Sequence, residues 1–421
     1  MEIPIQIEKK LRIGLFVDSF PAYSEAWLST QIMDLKKRGH QLYIFPIIFN
    51  EKFAFNSDFI EENIDKSVQY IAIPKSKYQR IINAVSIVFN DVQHIMVYLK
   101  TLNILKYGMG AINLSKFYQA VPFIKYNNII DVFHSHYGTN VTRWQFLCEI
   151  GLFTNIPLIV SFYGYDAFFY DNSYYENLFK SNCKLIVLSN FLKDKLISLG
   201  ASKKNIIKIP LAVNPYYIQN IPIPNFEQKA TITIITVGRL CEFKGHEFSL
   251  QSLKILKDRG IENWEYLIVG DGELRDKLEN CANILGIGNK IHFLGKQDYK
   301  AIYSLYSQAD IFILTGIVTD KGEQETQGVV ILEAQAMMLP VIVSDTGGCS
   351  EGLINGESGF LIPQKRPELV AEKLKLLINN PDLRKTMGVK GRDFVIKKYD
   401  INILNDKLIN LYTEVIQENG L

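Results

Sequence analysis

The sequence predicts an α/β protein made of two domains, each built on a parallel sheet. Short β-branched runs alternate with longer amphipathic segments along the 421 residues, which is typical of strands joined by crossover helices. A chain of this length has room for two domains of ordinary size, and 48% hydrophobic residues supply two cores. A stretch without periodicity, residues 210–226, contains four of the fourteen prolines and predicts the linker.

Five strands that end in polar or glycine-containing turns are predicted in each half. Those of the first half are expected within residues 11–17, 41–47, 128–138, 156–166 and 183–189, and those of the second half within residues 231–240, 264–273, 290–296, 310–316 and 340–345. The polar turns follow the strands, so the ligand site is expected in the cleft outside the carboxyl ends of both sheets.

The helices complete the domain assignment. The first helix is expected over residues 25–38 and ends at Gly39, because glycine readily adopts the left-handed conformation at a helix terminus. We assign residues 1–212 to an N-terminal domain and residues 213–397 to a C-terminal domain. A last helical stretch, residues 398–421, begins after a break at Tyr399 and Asp400.

Composition excludes several function classes. The net charge of +2 argues against nucleic-acid binding by bulk charge. Five scattered cysteines, none in a CxxC pair, predict neither a disulfide framework nor a zinc site. The apolar run near the N-terminus is too short for a signal peptide, and no run is long enough for a membrane span. We expect a cytoplasmic protein.

Residues 66–130 are strongly basic although the whole chain is nearly neutral. They contain eight basic side chains and one acidic side chain, Asp91. Within them, residues 78–107 and 115–126 are expected to be helical and are rich in apolar side chains. One interpretation is a pair of core helices with a solvated rim. The other is a surface that rests on anionic lipid, peripheral to the inner face of the plasma membrane.

Two glutamates near one predicted helix suggest a long ligand. Glu325 precedes this helix, Glu333 lies eight residues later, and a rise of about 1.5 Å per residue separates them by up to ~12 Å. This is too far for an acid–base pair but fits the two ends of a nucleotide diphosphate sugar. The helix N-terminus between them offers free amides to the diphosphate. The alternative is a surface helix whose dipole Glu325 complements.

Arg239 and Lys244 follow a predicted buried strand of the same half. A guanidinium binds phosphate oxygens bidentately, and a lysine adds a compact charge, so the two suit a leaving diphosphate. The alternative is a solvated surface pair. Gly270 belongs to a Gly-Asp-Gly turn, which by itself is a weak signal.

The histidines at the end of one predicted strand are poor metal ligands. We expect His134 and His136 to face opposite sides and one of them to make a structural hydrogen bond. The sequence contains no Walker, HExxH or GxSxG motif. No metal site is predicted.

The motifs together resemble those of family 4 glycosyltransferases of the GT-B fold, over residues 11–412. The resemblance rests on GRL(x3)KG, VGDGELR, the FLG turn, ETQGVVILE and TGG(x2)E in this order. FPAYSEAW, FHSHYGT, SFYGYD and TGIVTDKGEQE are similar to the bacterial exopolysaccharide and capsule branch. The resemblance implies two Rossmann-like domains facing across a cleft, with the C-terminal helix crossing back to the first domain.

The resemblance also implies roles for named residues. Arg239 and Lys244 would hold the diphosphate, Glu333 the ribose hydroxyls, and Glu325 the donor sugar. The remaining donor contacts fall on Gly270, on the main chain of Leu294 near the base, and on the backbone of Thr326, Gln327 and Gly328 near the phosphates.

The reaction implied is retaining transfer from a UDP- or GDP-linked sugar to a glycan or lipid-linked acceptor, in surface polysaccharide biosynthesis, without metal or cofactor. The leaving phosphate would take the acceptor proton. Tyr163 stands where the family usually has a histidine, and a phenol with a pKa near ~10 is a poor base. We expect His136 near it. The loop FPAYSEAW replaces the usual glycine pair.

Other functions remain open at this point. A sugar-nucleotide epimerase would turn over without an acceptor, and a phosphorylase would need a pyridoxal-bearing lysine context that the sequence lacks. A degenerate, non-catalytic subunit or a sugar-nucleotide sensor fits the change at Tyr163. A hydrolase pair needs carboxylates about 5–9.5 Å apart, closer than expected for Glu325 and Glu333.

Overall fold

The computed structural model describes residues 10–21, 26–49, 57–213, 219–220, 222–224, 226–227 and 229–420. Residues 22–25 of the first loop and parts of the linker at 210–226 lie outside the described residues. The start of the first helix expected at residue 25 lies there too.

The first domain contains a six-stranded parallel sheet in the order β2-β1-β3-β4-β5-β6. Its strands are β1 (Arg12–Phe20), β2 (Gln41–Phe49), β3 (Val132–His136), β4 (Leu158–Phe162), β5 (Lys184–Val187) and β6 (Ile206–Lys208). The central strands β3 and β4 are buried along their whole length because helices cover both faces.

Eleven named helices lie in the described part of this domain. They are α1 (Ala26–Lys37), α2 (Ser57–Glu61), α3 (Lys77–Asn90), α4 (Ile95–Thr101), α5 (Ile104–Tyr107), α6 (Met109–Ile112), α7 (Ser115–Ile124), α8 (Val141–Glu149), α9 (Tyr165–Phe168), α10 (Asn172–Lys180) and α11 (Asn190–Ser198). Gly39, with φ of 85°, follows α1 and donates its N–H to the carbonyl of Lys36, as the sequence predicts.

The second domain contains another six-stranded parallel sheet, in the order β12-β11-β10-β7-β8-β9. Its strands are β7 (Ile232–Val237), β8 (Trp264–Val269), β9 (Ile291–Gly295), β10 (Ile311–Leu314), β11 (Val341–Asp345) and β12 (Gly359–Pro363). The helices that follow β7 are α12 (His246–Asp258), α13 (Arg275–Ile284), α14 (Tyr299–Gln308), α15 (Val329–Ala336), α16 (Pro367–Ile378), α17 (Pro381–Tyr399) and α18 (Ile401–Glu418).

The C-terminal helix crosses back to the first domain, as the sequence predicts. Asp400 ends α17 and caps α18 by accepting the N–H of Asn402. Beyond this break, Leu408 and Tyr412 join the core between the first sheet and α1. The predicted α/β class and the two facing Rossmann-like domains are confirmed.

The sequence missed two short edge strands and overestimated one helix. The three-residue β6 and the glycine-led β12 give too weak a β-branched signal to be recognised. Residues 78–107, expected to be helical, are divided into α3, α4 and α5 by breaks at Asp91 and Asn103. Asp91 ends α3 outside helical geometry, and Asn103 caps α5.

Among the described residues, no single helix has both the length and the apolar character needed to cross a membrane. The helices Lys77–Asn90 and Val92–Thr101 satisfy the two criteria together, but a bend of 101° separates them.

Candidate functional site

Loops from the carboxyl edges of the two sheets meet between the domains. The Thr326 hydroxyl donates to the carbonyl of Tyr163 at 2.8 Å. The side-chain amide of Gln327 accepts the N–H of Leu211 at 2.8 Å and donates to its carbonyl at 3.0 Å. The side chains of Thr326 and Gln327 therefore hold the domains together.

A second set of interdomain bonds lies at the neighbouring end of the cleft. One carboxylate oxygen of Glu351 accepts the N–H of Asn190 at 2.6 Å, and the other accepts from Lys208 at 2.7 Å. Glu351 is the glutamate of the TGG(x2)E motif. Its side chain thus joins the loop after β11 to the first domain.

Lys244 and Glu325 form an ion pair at the start of the second domain's cleft wall. Both side chains are largely buried. Burial would raise the pKa of Glu325, but the charge and hydrogen bond of Lys244 outweigh it, with help from the N–H groups of Thr326 and Gly328, so the pKa is lowered. Burial opposes a raised pKa at Lys244, yet the Glu325 charge raises it. Both groups are charged at neutral pH.

Arg239 lies close to this ion pair on the same loop. Its guanidinium is 5.7 Å from the centre of the Phe243 ring, and the ammonium of Lys244 is 5.5 Å from the same centre. Arg239 is exposed and forms no ion pair with an acidic side chain in the described part of the chain. One cation is therefore neutralised by Glu325, and the other remains available to an anion.

Close backbone packing brings the Glu325 segment into position. Gly348 donates its N–H to the carbonyl of Glu325 at 3.0 Å. Gly347 has φ of +52°, and a Cβ there would lie 1.8 Å from that carbonyl oxygen. The glycine pair of the TGG(x2)E motif is therefore required for this contact, because any side chain at Gly347 would displace Glu325.

Glu333 lies inside α15. One carboxylate oxygen accepts from the hydroxyl of Tyr299 at 2.7 Å, and the other contacts the hydroxyl of Tyr306 at 3.5 Å. Burial raises the pKa of Glu333, and the two tyrosine hydrogen bonds and the Lys244 charge partly offset this rise. The sequence analysis missed both tyrosines, although their spacing of seven residues on α14 puts them on one helix face.

Gly270 and Leu294 lie at the ends of neighbouring strands. Gly270 donates its N–H to the carbonyl of Gly295 at 2.9 Å, and a Cβ at Gly270 would lie 1.9 Å from the carbonyl oxygen of Gly238. The carbonyl of Leu294 accepts from the side-chain amide of Gln297 at 2.7 Å. The three loops after β7, β8 and β9 thus form one connected wall.

The first domain contributes an aromatic cluster around His136. Its Nδ1 lies 2.7 Å from the Tyr163 hydroxyl, so the expected proximity of the two side chains is observed. The ring of Trp27 packs 4.5 Å from that of Tyr163. Burial lowers the pKa of His136, so its imidazole is neutral at neutral pH.

The expectation that His134 and His136 face opposite sides is wrong. Their ring centres are 4.2 Å apart, because residues two apart in a strand point to the same face. His134 makes the structural hydrogen bonds, with Nδ1 2.7 Å from the Tyr412 hydroxyl and Nε2 2.7 Å from the Ser161 hydroxyl. It links the sheet to the crossing helix.

Two buried or half-buried acids of this cluster were missed by the sequence analysis. Asp166 accepts the N–H groups of Gly138, Tyr163 and Gly164, and burial raises its pKa to about 6. It ties the loops after β3 and β4 together. Asp18, at the end of β1, accepts from Asn140 at 2.6 Å, and burial raises its pKa. Its position at a strand's carboxyl end was the available signal.

The part of the chain that the structure describes contains no group of three or more His, Cys, Asp or Glu side chains placed to hold a metal ion. On the loop after β7, the side chains of Arg239 and Lys244 supply positive charge to the cleft.

Comparison with known proteins identifies this arrangement. Residues 218–394 match the family model described as Glycosyl transferases group 1. This match lies in the second domain, which is therefore similar to the group 1 glycosyltransferases. The chain is 27% identical over 245 residues to the capsular polysaccharide biosynthesis glycosyltransferase CapM of Staphylococcus aureus, covering 56% of this chain and 62% of CapM. It is 24% identical over 373 residues to the amylovoran biosynthesis glycosyltransferase AmsK of Erwinia amylovora, covering 86% of this chain and 89% of AmsK.

The fold matches as well. The crystal structure of Anabaena Alr3699/HepE in complex with UDP and glucose superimposes with a TM-score of 0.69 at 16% identity, covering 96% of this chain and all of that chain. The two domains that the structure describes therefore have the GT-B fold. The resemblance seen in the sequence is confirmed for the group 1 domain and for the fold.

We expect Gly347→Ala in the group 1 domain to destabilise the protein more than Gly356→Ala. Both glycines have positive φ, but a Cβ at Gly356 meets nothing within 4 Å. Gly356→Ala should therefore lower the free energy of unfolding by about 1 kcal/mol from backbone strain alone. Gly347→Ala adds the clash with Glu325 and should cost at least about twice that. Urea unfolding measures both, and equal losses would contradict the packing described.

Proposed function

We propose that this chain is a glycosyltransferase that moves a sugar from a nucleotide diphosphate sugar to a glycan or lipid-linked acceptor. The observation that carries the proposal is the Lys244–Glu325 ion pair beside the exposed Arg239. Two cations and one carboxylate lie on loops at the carboxyl edge of the second sheet. Their net positive charge suits a diphosphate, and the carboxylate suits sugar hydroxyls.

The donor would extend from this cationic centre toward Glu333 and Leu294. Glu333 keeps oxygen lone pairs beside its tyrosine contacts, and a ribose hydroxyl can donate to them. We place Glu333 at the nucleoside end of the donor because it lies on α15, eight residues after Glu325 in the sequence. We assign the base to the main chain of Leu294 and the wall that includes Gly270. The UDP and glucose in the Anabaena structure support a UDP-linked donor, and a GDP-linked donor is the alternative.

The proposed mechanism is retaining and needs neither a metal nor a cofactor. Lys244 and Arg239 would stabilise the charge that develops on the leaving diphosphate, which a metal ion supplies in other enzymes. Glu325 is ionised, and the same carboxylate is held by Lys244 and two backbone N–H groups. It is therefore suited to orient the donor sugar rather than to protonate a leaving group. The leaving phosphate would take the acceptor proton.

Tyr163 and His136 would bind the acceptor side of the donor sugar. Neutral His136 and the phenol of Tyr163 form one hydrogen-bonded unit, packed against Trp27. Since a phenol is a poor base at neutral pH, its role is to orient a hydroxyl by hydrogen bonding. The relatives CapM and AmsK support a place in surface polysaccharide biosynthesis.

Binding and turnover assays separate this function from its alternatives. A sugar-nucleotide sensor or a degenerate subunit would bind the donor without releasing nucleoside diphosphate in the presence of acceptor. An epimerase would change the sugar without any acceptor. The ion pair and Arg239 suit a bound diphosphate in every one of these cases, so turnover with and without acceptor is the measurement that distinguishes them.

We expect Lys244→Ala to weaken donor-dependent stabilisation and to lower turnover. Wild-type protein should melt at a higher temperature with UDP or GDP and the matching nucleotide sugar, because a ligand that binds the folded state stabilises it. Losing a fixed charge at the leaving group should lower the rate by about 100-fold or more. Lys254→Ala is the control, since Lys254 is partly exposed and paired with Asp258 on α12. No melting shift with any nucleotide would contradict the proposal.

We expect activity to persist in EDTA and the product to keep the anomeric configuration of the donor. The cationic side chains, rather than a metal ion, are proposed to neutralise the diphosphate. Release of nucleoside diphosphate measures the rate, and the proton coupling constant at the anomeric carbon measures the configuration. Loss of activity in EDTA that magnesium restores would refute the first part, and an inverted product the second.

We expect Tyr163→Phe to lower turnover by about tenfold or more while donor affinity stays within about twofold. The substitution removes the hydroxyl that bonds to His136 but keeps the ring against Trp27. Tyr165→Phe is the matched control, because Tyr165 is 62% exposed two residues away. Steady-state kinetics with separate donor and acceptor titrations measures the effect. Unchanged turnover in Tyr163→Phe would remove the tyrosine from the mechanism.

A further inference from the structure

The first domain carries a concentrated apolar surface on residues 77–112. Fourteen of the thirty large hydrophobic side chains that are exposed in the described part of the chain lie within these residues. We call them the apolar surface: Tyr78, Ile81, Ile82, Val85, Phe89, Val92, Ile95, Met96, Leu99, Leu102, Ile104, Leu105, Met109 and Ile112. Phe89 is 81% exposed and Leu105 is fully exposed. Clusters of this kind mark sites that bind an apolar partner.

The exposed apolar side chains of α3 form one continuous face of the helix. Tyr78, Ile81, Ile82, Val85 and Phe89 recur every three or four residues, which places them on one side of the helix. Such a stripe normally faces the core, but here it faces outward. The interpretation of residues 78–107 as a pair of core helices with a solvated rim is therefore wrong.

Contacts on the opposite side hold the helix in this orientation. Ala84 is buried in the core of the domain. Arg80 donates to the carbonyls of Pro74 and Asn113, and the Tyr118 hydroxyl donates to the carbonyl of Arg80. The apolar stripe is thus presented by a helix that is anchored to the folded domain.

Positive charges border the apolar surface. Six lysines of residues 66–130 are exposed: Lys66, Lys75, Lys77, Lys100, Lys106 and Lys125. The one acid of this region, Asp91, is half-buried and bonded to His94 and Tyr98, both at 2.7 Å. Lys106 forms an ion pair with Glu149, and Lys116 packs over the Phe146 ring. These two lysines therefore make contacts within the domain. The outward features are apolar side chains and the remaining lysines.

This combination fits a lipid surface better than a second copy of the chain. In a symmetric dimer the same lysines would face one another across the interface, and like charges repel. Anionic headgroups instead complement them, and acyl chains complement the aliphatic side chains. The helix α3 is about 21 Å long, shorter than a hydrocarbon core of ~30 Å, which favours a helix lying in the interface.

We propose that the apolar surface inserts into the boundary between headgroups and acyl chains of an anionic bilayer, and that hydrophobic burial rather than charge supplies most of the binding. The proposal goes beyond the transferase function and does not depend on it. It places the protein as a peripheral protein on a membrane. The lysines at the border add an electrostatic attraction to anionic lipid. Salt screens this attraction but does not weaken the apolar contribution to binding.

Vesicle flotation with the full chain tests the proposal. We expect wild-type protein to float with phosphatidylcholine–phosphatidylglycerol vesicles and to retain most of this binding in 0.5 M salt. The double variant Phe89→Ser/Leu105→Ser should lose about tenfold or more of the binding, because two side chains no longer leave water. Ile284→Ser is the matched control, since Ile284 is 76% exposed on α13 of the other domain.

Each outcome decides the question. Failure of the wild type to float, loss of all binding in high salt, or equal binding by the double variant would overturn the proposal. Sedimentation could instead show that the wild type is a dimer and the double variant a monomer. If the wild type also failed to float, the surface would be assigned to a second copy of the chain. The melting temperature and the melting shift with nucleotide should be unchanged in the double variant. These controls separate a lipid-binding defect from misfolding and from failure of the donor site.

Discussion

The buried ion pair between Lys244 and Glu325 is the interaction around which the cleft of the second domain is built. A buried charge without a partner is costly, so the two side chains must be held together by the loops that carry them. The loop after β7 supplies Lys244, the segment before α15 supplies Glu325, and Gly347 allows the loop after β11 to support Glu325 by close backbone contact. The ion pair thereby fixes the relative positions of these three loops. The guanidinium of Arg239 lies beside it and is available to an anion.

The segment that carries Glu325 also closes the cleft. Thr326 bonds to the loop that carries Tyr163, and Gln327 bonds to Leu211 at the end of the first domain. Any movement of the domains must therefore act on the residues next to the ion pair. Asp166 fixes the facing loop by accepting three backbone N–H groups. In the proposed reaction, this connection would couple donor binding in one domain to the position of His136 and Tyr163 in the other.

The proposed membrane contact gives the N-terminal domain a role besides holding the acceptor side of the cleft. Its two sheet faces are covered differently. The helices α1, α2 and α18 pack on one face, while α3, α4, α7, α8, α10 and α11 pack on the other, and α3 leaves an apolar stripe outside. A lipid-linked acceptor would lie in the same bilayer that this surface is proposed to enter. Both proposals can fail separately, since the apolar surface and the donor site share no residue.

Local pattern in the sequence determined the α/β class, ten of the twelve strands, the break at Asp400 and the candidate donor residues, because strands, caps and loop motifs are encoded by neighbouring residues. The edge strands β6 and β12 were missed because their residues give a weak β-branched signal. The breaks at Asp91 and Asn103 were missed because short polar interruptions with local side-chain bonds lie within an otherwise helical pattern. Only the tertiary structure decided that Tyr299 and Tyr306 reach Glu333 and that Asp166 binds three loop amides. It also decided that the apolar stripe of α3 faces outward. Periodicity reveals that a helix has an apolar face, but the rest of the fold determines whether that face is covered.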